Sequence, residues 1–335
     1  MESAYILPLK RAVPYIRLYK GKIFVIKVGG SILQKPEVCA SVAEDIAVLH
    51  QLGVSVVVVH GGGPQATELS RQLGHEPTMI AGRRVTGDKD LEIVKMVFAG
   101  RLNLDLVGAL ERCGTKAIGL SGADGSFMVA SKRPRSAPPG SGPEVDWGHV
   151  GDLKTVNPHV LYHILGGGFV PVVCSLASDG QGGLLNVNAD TIAATIARIV
   201  GAEKLMFLSD TAGLLDDPKD PESTLSYVTP EEIEERKLAG KITGGMLPKL
   251  EACLAAVRSG VRRTHILPGM RPMALLTEVF TNEGCGTMIL GPEESTRYES
   301  ELEGTPPPPP PGLGGAPIPA TPPEGHVHGP GCSHH

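Results

Sequence analysis

Hydrophobic residues in this chain form short β-branched runs that alternate with longer amphipathic stretches. The runs at 23–28 and 54–59 are almost entirely apolar, which is typical of strands buried on both faces. The stretches that follow them, 37–52 and 64–74, have a helical period. The resulting β-α-β-α series predicts a parallel sheet with right-handed crossovers.

The same patterns continue along the chain and predict an α/β fold. Further strands are predicted at 116–120, 128–130, 170–174, 204–209 and 265–267. Further helices are predicted at 89–113, 157–166, 189–201, 230–239 and 246–260. Ahead of the first strand, 7–20 predicts an amphipathic helix, interrupted near Pro14, whose apolar face needs a partner.

Length and composition predict two lobes and a tail. The chain has 335 residues, of which 41% are hydrophobic, enough for a substantial core. We expect an N-terminal helix over 1–22, an N-terminal lobe over 23–200 and a C-terminal lobe over 201–291. The Pro/Gly/His-rich segment 292–335 lacks periodicity and predicts disorder. The proline-rich segment 132–143 predicts a surface excursion between short strands.

Charge and cysteine usage narrow the class of protein. The net charge is −5 and the basic residues are dispersed, which argues against a nucleic-acid partner. The six cysteines stand alone without CxxC spacing, which indicates reduced, cytosolic thiols. No apolar run approaches ~20 residues, so we expect no signal peptide and no membrane span. A cytoplasmic location is the expectation.

Each of the first two strands ends in consecutive glycines. The first strand leads into Gly29 and Gly30, and the second leads into Gly61, Gly62 and Gly63. Glycines there let backbone N–H groups approach a ligand, and the following helix adds the positive end of its dipole. Lys27, inside the first strand, would add a cation to such an anion cradle. The pattern is neither GxxxxGK[ST] nor GxGxxG, and it favours phosphoryl transfer.

Two further segments bring charge toward the same chemistry. In the segment 186–190, either Asn188 or Asp190 is expected to cap the following helix, or Asp190 holds two lysines in an ion-pair network. The second lysine is Lys249, in the first turns of a predicted helix, where a cation is unfavourable for the dipole. That placement favours a functional role for Lys249.

An arginine and a polar turn complete the candidate residues. Arg84 stands between a loop and a helix, where a guanidinium suits a carboxylate ligand, although an exposed loop arginine is an equal reading. The segment 209–215 ends a strand in a polar turn. It is compatible with a nucleotide-binding edge or with a plain turn.

Six blocks in register resemble the amino acid kinase superfamily. They are KVGGS at 27–31, HGGGP at 60–64, GRRVT at 82–86, NVNAD at 186–190, SDTAGLL at 209–215 and GGMLPK at 244–249. The resemblance covers about 8–290 and is greatest to members that phosphorylate the γ-carboxylate of N-acetyl-L-glutamate in arginine biosynthesis. It implies an open three-layer αβα sandwich with a mainly parallel central sheet. The N-terminal lobe would bind the acyl amino acid and the C-terminal lobe ATP.

The resemblance also assigns roles residue by residue. Lys27 and Lys249 would stabilise the transferring phosphoryl group, and Asp190 would organise them. Gly30, Gly62 and Gly63 would present amides, and Arg84 with Asn186 would hold N-acetyl-L-glutamate. The nucleotide site would be lined by Asp210, Thr211, Ala212, Gly213, Leu214, Leu215, Lys241, Ile242 and Thr243. Mg²⁺ would bridge the ATP phosphates, with no metal site formed by the protein alone.

Members with an extra N-terminal helix are similar to this chain at 9–22. Such members are typically hexamers built as trimers of dimers. Arginine inhibits them by binding between the N-terminal helix and the C-terminal lobe. Tyr15, Glu278 and Gly286 match the pattern of that site. The alternative is a helix that packs only on its own subunit. The resemblance leaves open whether a nitrogen-signalling protein docks on the ring.

Two rival functions remain open at this point. One is a sister kinase for a carrier-bound amino-adipate or glutamate, with a basic rim made of Arg83, Arg84, Lys132, Arg133 and Arg135. The other is a non-catalytic arginine sensor, against which the retention of Lys27, Asp190 and Lys249 argues. The excursion at 132–143 and the tail depart from the family pattern. The tail's His and Cys residues would either bind a soft divalent metal or form a solvated extension.

Overall fold

The computed structural model describes residues 3–138, 142–217, 220, 223–242, 245–281, 284–291 and 294, with side chains described from residue 10 onward. The tail over 292–335, for which the sequence predicts disorder, therefore lies outside the described residues except for Glu294.

The helices and strands alternate along most of the chain. The helices are α1 Ser3–Tyr19, α2 Gly30–Leu33, α3 Pro36–Gln51, α4 Gly63–Gln72, α5 Asp88–Val94, a π-helix Lys95–Leu102, α6 Asn103–Arg112, a 3-10 turn Asp124–Ser126, α7 His159–Gly166, α8 Ala189–Ile199, α9 Pro230–Leu238, α10 Met246–Arg258 and α11 Ala274–Phe280. The strands are β1 Ile23–Val28, β2 Ser55–His60, β3 Met79–Ile80, β4 Arg83–Arg84, β5 Ala117–Leu120, β6 Met128–Lys132, β7 Gly151–Val156, β8 Val170–Cys174, β9 Leu176–Ser178, β10 Leu184–Asn186, β11 Lys204–Ser209, β12 Tyr227–Val228, β13 Arg263–Pro268 and β14 Thr287–Leu290.

One eight-stranded sheet forms the middle layer of the molecule. Its strand order is β12-β14-β13-β11-β1-β2-β8-β5. Its strands run parallel except where β14 pairs antiparallel with β13. One face packs on α7, α8 and α10, and the other on α1, α3, α6 and α11. The predicted αβα sandwich with a mainly parallel sheet is confirmed.

Strand periodicity explains why Lys27 stands in a buried strand. Successive side chains of β1 point to opposite faces of the sheet. Val25 packs in the core on the α8 side, so Lys27, two residues later, points to that same side. It lies at the end of the strand, where the N-terminus of α8 supplies a carboxylate. The lysine is therefore placed by the alternation of the sheet.

A smaller sheet with the order β10-β9-β6-β7 lies outside the central sheet. β6 and β7 form an antiparallel pair, and the segment between them includes the proline-rich excursion. Trp147 in this segment is buried, and its indole N–H donates to the Ser136 hydroxyl at 3.0 Å. Bridges from Thr86 to Gly148 and from Val150 to Asn186 join the segment to the rest of the chain.

Three local features differ from the sequence expectations. The interruption predicted near Pro14 was wrong, because α1 is helical from Ser3 to Tyr19. A proline removes one helical hydrogen bond, and the packing of Tyr15 and Tyr19 against the core compensates for that loss. The predicted helix 89–113 contains the π-helix Lys95–Leu102, and short elements such as α2, β3 and β4 were missed. Among the described residues, no helix has the length and apolar character needed to cross a membrane.

Candidate active site

The turns that follow β1, β2 and β11 meet at one edge of the central sheet. Val28, the last residue of β1, pairs with Leu208 on one side and His60 on the other. The Gly29 N–H donates to the Leu208 carbonyl at 3.2 Å, which ties the first glycine turn to β11. The Gln65 amide donates to the Gly30 carbonyl at 2.7 Å and joins the two glycine turns.

One glycine in each turn, Gly30 in the first and Gly62 in the second, lies too close to its neighbours to admit a side chain. A Cβ on Gly30 would lie 2.8 Å from the Pro64 ring, and one on Gly62 would collide with Leu102 and Phe98. The Gly62 carbonyl accepts from the Ala66 N–H at 2.9 Å. Within the described residues, no backbone carbonyl accepts from the N–H of Gly30, Gly62 or Gly63. These amides suit an anion.

Gly62→Ala is expected to destabilise the fold by about 1–3 kcal/mol and to reduce turnover sharply, because the added methyl displaces the turn from the packed helix. Gly63→Ala is the matched control, since a Cβ there meets nothing within 4 Å. Thermal unfolding and kcat of both variants provide the measurement. Equal stability of the two variants would contradict the role of close packing.

Lys27 and Asp190 form a largely buried ion pair. Lys27 Nζ lies 2.8 Å from Asp190 Oδ1, and each side chain is 11% exposed. The capping role falls to Asn188, whose Oδ1 accepts from the N–H groups of Asp190 and Thr191 at 2.8 and 3.1 Å. Asp190 is therefore free for Lys27, and the capping alternative for Asp190 is wrong.

Lys249 acts on the same carboxylate from the first turns of α10. Burial alone would raise the pKa of the Asp190 carboxyl, but the charges of Lys27 and Lys249 outweigh it and hold that pKa below its ordinary value. The structure thus brings Lys27, Lys249 and Asp190 together as a charge network. Two cations beside free amides can stabilise a phosphoryl group.

Arg84 is anchored by three groups around the second glycine turn. Its guanidinium donates to Thr67 Oγ1 at 2.6 Å and to the Gly63 carbonyl at 3.2 Å, and it lies 3.5 Å from Asp90 Oδ1. Burial lowers its pKa, which the Asp90 carboxylate partly offsets. With a side chain 8% exposed, Arg84 is not the exposed loop arginine that the sequence left open.

A cleft of about 430 Å³ opens beside these groups. Arg84, Asn186, Asn188 and Pro248 line it, so residues of both sequence halves share one cavity. The Asn186 amide donates to Thr86 Oγ1 at 3.1 Å, which fixes its orientation in the wall. Arg83, Arg133 and Arg198 also line the cleft, with Glu251 as a carboxylate among them, so the wall is mainly cationic and suits an acidic ligand.

The residues expected at a nucleotide site lie beyond the end of β11. Asp210, Thr211 and Ala212 are exposed, whereas Gly213 and Leu214 are buried, and the Leu214 N–H donates to Thr287 Oγ1 at 2.8 Å. Leu215 forms a bridge with Thr224. The segment is thus anchored at one end and exposed at the other.

The second nucleotide segment lies close to the first. A hydrogen bond from Arg236 lowers the pKa of Asp216, and the charge of Lys241 lowers it further, which places Lys241 beside the turn. Ile242 is buried, and Thr243 lies outside the described residues.

The three residues expected at an arginine site lie in different environments around β13. Tyr15 of α1 packs on the core below α11. The Glu278 carboxylate is buried: Oε1 accepts from His265 Nδ1 at 2.7 Å and Oε2 from the Cys285 N–H at 2.8 Å. A Cβ on Gly286 would collide with the Ile266 carbonyl. The backbone after α11 therefore lies directly against β13.

Sequence reasoning missed two buried polar groups. Lys204 opens β11, lies 3.2 Å from His265 Nε2 and is 5.3 Å from the ring centre of Tyr19. Burial lowers its pKa to about 8. The second group is His60 with Asn103, beside the second glycine turn. Lys27 was identified because a lysine in an apolar strand is unusual, and the same criterion could have identified Lys204.

Two buried histidines are expected to make folding acid-sensitive. Burial lowers the pKa of His60 and of His265 to about 4, so the unfolded chain binds protons first as pH falls below 6.5. Each of the two histidines therefore lowers the free energy of unfolding by roughly 2 kcal/mol between pH 7 and pH 5. Burial raises the pKa of Asp45 to about 6, which opposes this trend. Urea unfolding at both pH values measures the net effect, and greater stability at pH 5 would contradict it.

Comparison with known proteins agrees with this geometry. Residues 22–268 match the amino acid kinase family, and the chain belongs to that family. Among the described residues, no group of three His, Cys, Asp or Glu side chains is arranged to hold a metal ion.

The relatives define the member of the family more closely. An acetylglutamate kinase of Methanothrix thermoacetophila is 43% identical over 281 residues, which is 84% of this chain and 96% of the relative. An acetylglutamate kinase of Synechococcus sp. (strain RCC307) is 43% identical over 283 residues, covering 84% and 93%. The chain is a member of the acetylglutamate kinase group, as the sequence blocks indicated.

Solved structures share the fold. The N-acetylglutamate synthase of Neisseria gonorrhoeae, complexed with coenzyme A and N-acetyl-glutamate, has 26% identity and a TM-score of 0.74 over 85% of this chain. This chain spans 63% of that synthase, less than two thirds of its length. Carbamate kinase from Giardia lamblia bound to AMP-PNP matches at 18% identity and a TM-score of 0.59, over 81% of this chain and 99% of its own. That likeness concerns the fold alone.

Proposed function

We propose that this protein transfers the γ-phosphoryl group of ATP to the γ-carboxylate of N-acetyl-L-glutamate and forms N-acetyl-L-glutamyl 5-phosphate. The observation that carries the proposal is the Lys27–Asp190 ion pair at 2.8 Å, beside two glycine turns at one sheet edge. The acetylglutamate kinase relatives support the choice of substrate.

Lysine side chains and backbone amides of this protein can stabilise the negative charge of the transferring phosphoryl group. A γ-carboxylate oxygen attacks the terminal phosphorus in line with the departing ADP oxygen, so charge on the phosphoryl oxygens must be neutralised. Lys27 and Lys249 supply the cations, and the N–H groups of Gly30, Gly62 and Gly63 supply preorganised dipoles. Asp190 pairs with Lys27 at 2.8 Å and acts on Lys249 through its charge, rather than on the substrate. Its role is to hold both lysines charged and correctly placed.

Substrates enter from two sides of this centre. Arg84 pairs with the α-carboxylate of N-acetyl-L-glutamate, and Asn186 bonds its acyl amide, in the cleft that both residues line. The nucleotide lies along Asp210, Thr211 and Ala212, with Lys241 opposite. Mg²⁺ enters with ATP and neutralises its phosphates, as in other phosphoryl transfers.

The proposal extends to the two lobes, the oligomeric state and the regulation of the enzyme. The segment 23–200 forms the acyl-amino-acid lobe and 201–291 the nucleotide lobe of a cytoplasmic enzyme. Helix α1 joins dimers into a hexamer, and arginine inhibits by binding near Tyr15, Glu278 and Gly286. Support comes from the match of Tyr15, Glu278 and Gly286 to the pattern of that site. Within the chain, Tyr15 packs on the same core cluster as α11, and both oxygens of the Glu278 carboxylate accept from His265 and the Cys285 N–H, so arginine must compete with these partners.

The basic rim expected for a carrier-bound substrate is partly neutralised within the chain, although Arg83, Arg84 and Arg133 line one cleft. Arg133 is occupied by Asp152 at 2.6 Å, and Lys132 lies 3.9 Å from Asp146. Two members of the expected basic rim are therefore paired within the chain, which reduces their attraction for an acidic carrier.

A coupled ADP-release assay with ATP, Mg²⁺ and N-acetyl-L-glutamate tests the activity, with and without millimolar arginine. Turnover that arginine abolishes supports the activity and the regulatory site together. Turnover indifferent to arginine removes the regulatory site alone. Absence of turnover rejects the activity and directs the assay to carrier-bound substrates and then to arginine sensing without catalysis.

Deletion of residues 1–20 is expected to give dimers whose activity no longer responds to arginine, because the helix that joins dimers and covers the site is lost. Sedimentation velocity and arginine titration of the deleted protein provide the measurement. Hexamers that persist after the deletion would reject the assignment of α1 to the ring contact.

A further inference from the structure

His60 is the last residue of β2 and directly precedes the second glycine turn. Its side chain is fully buried, and both ring nitrogens have partners. Nδ1 lies 2.9 Å from the Gly61 carbonyl oxygen, and Nε2 lies 3.1 Å from Asn103 Nδ2. Neither His60 nor Asn103 belongs to the proposed substrate-binding residues.

The partners determine where the ring carries its proton. A carbonyl oxygen only accepts, so Nδ1 must be the protonated nitrogen that donates to Gly61. An amide nitrogen only donates, so Nε2 must present its lone pair to Asn103. The ring is thus the neutral Nδ1–H tautomer. Burial lowers its pKa to about 4, and the nearby charge of Lys27 contributes to that lowering.

Asn103 is itself held in one orientation. Its Nδ2 also donates to the Val172 carbonyl at 2.9 Å, so a flipped amide would place two oxygens together. Its Oδ1 lies where a Cβ on Gly119 would stand, so β5 accommodates the amide only with glycine at that position. Asn103 therefore selects the tautomer of His60.

The π-helix places this asparagine. Asn103 is the first residue after Lys95–Leu102, and the side chains of Phe98 and Leu102 in the same segment pack on Gly62. π-helical segments are rare and occur often at functional sites. Here the segment supports both the amide that orients His60 and the apolar floor under the glycine turn.

The contact with Gly61 determines the direction of an amide in the turn. The Gly61 carbonyl and the Gly62 N–H belong to one planar trans peptide, so they point in opposite directions. A hydrogen bond that draws the carbonyl toward His60 therefore turns the Gly62 N–H away from the ring. That N–H has no backbone acceptor among the described residues.

We propose that His60, held as its neutral Nδ1–H tautomer by Asn103, is a positioning residue that aims the Gly62 N–H at the transferring phosphoryl group. The inference rests on the proposed kinase function, because it assigns a purpose to one amide of that site. His60 acts through the backbone and does not contact the substrate. A protonated ring would place a second positive charge near Lys27 in a fully buried position.

Two substitutions at one position separate this role from a structural one. The amide of His60→Asn reaches the place of Nδ1 and can still donate to Gly61, whereas that of His60→Gln reaches the place of Nε2. We expect kcat of His60→Gln to fall by about 100-fold, with KM changed by less than about threefold. We expect His60→Asn to keep kcat within about fivefold of the unaltered enzyme.

The matched controls are His163→Asn and His163→Gln in α7, which carry the same chemical changes at an exposed residue outside the site. Thermal unfolding of all four variants separates stability from rate. Equal loss of kcat in the two His60 variants, or normal kcat per folded molecule in both, overturns the proposal.

A binding measurement keeps this test distinct from the kinase assay. Affinity for MgADP with aluminium fluoride, a mimic of the transferring group, reports on the amides without turnover. The proposal expects tight binding by His60→Asn and about 100-fold weaker binding by His60→Gln, even if N-acetyl-L-glutamate is not the acceptor. No binding by the unaltered protein, or equal binding by both variants, overturns it.

The tautomer can also be read in the unaltered protein, should both variants fail to fold. Nitrogen-15 NMR of histidine-labelled enzyme is expected to show two neutral Nδ1–H rings that do not titrate between pH 6 and 8, because His265 also donates from Nδ1, to Glu278. The ring that remains in a His265→Gln variant belongs to His60. An Nε2–H form of that remaining ring, or its titration near pH 6.5, overturns the proposal.

Discussion

Lys27→Met is expected to reduce kcat by about 10²–10³-fold, because it removes a preorganised cation from the oxygens that gain charge in the transition state. KM for N-acetyl-L-glutamate should change little if Arg84 and Asn186, which line the neighbouring cleft, hold that substrate as proposed. Initial-rate kinetics with both substrates varied provides the measurement.

Lys116→Met is the matched control, because Lys116 is exposed ahead of β5 and outside the site. Its kcat should equal that of the unaltered enzyme. Near-normal turnover in Lys27→Met would remove Lys27 from the mechanism. A large rise in KM with unchanged kcat would instead assign Lys27 to substrate binding.

Asp190→Asn is expected to reduce both turnover and stability. The carboxylate pairs with the largely buried Lys27 and attracts Lys249 through its charge, so without it the positive charge of both lysines is uncompensated. Breaking one partner from a buried pair costs about 3–5 kcal/mol, toward the lower end here because each side chain is 11% exposed. We expect kcat to fall by about 100-fold, since both cations lose their placement.

A double-mutant cycle tests the coupling directly. Lys27→Met combined with Asp190→Asn should lose much less than the sum of the single losses, because the uncompensated charge disappears with its partner. Glu76→Gln is the control for a surface pair, because Glu76 and its partner Arg71 have side chains 69% and 61% exposed, and it should leave the free energy of unfolding nearly unchanged. Additive effects at Lys27 and Asp190 would show that the two groups act independently.

The sequence predicted the fold because both faces of the central strands are buried. Continuous apolar runs such as those at β1 and β2 predict strands buried on both faces of a sheet. The consecutive glycines after them predict turns whose backbone can lie close to a neighbour or a ligand. Lys27 was identifiable since a lysine in such a run is costly. Asp190 and Lys249 were proposed as its partners, and the structure places both around it.

Other features depend on contacts that no local pattern records. The roles of Asn188 and Asp190 were ambiguous because either residue can cap a helix, and the ion pair with a distant strand decides between them. The sequence of the π-helix is compatible with an ordinary α-helix, and its packing on Gly62 is a tertiary contact that the local pattern does not record. His60 and Asn103 are 43 positions apart and meet only when β2 and α6 pack together.

The pairing of β1 with β11 restricts how the two halves of the molecule can move. β1 belongs to the N-terminal half of the sequence and β11 to the C-terminal half. The two strands are paired from Phe24 with Lys204 to Val28 with Leu208, so both halves contribute to one continuous sheet. Any approach of the proposed nucleotide side to the proposed acceptor side is therefore expected to bend or twist this shared sheet rather than to swing about a hinge between separate lobes.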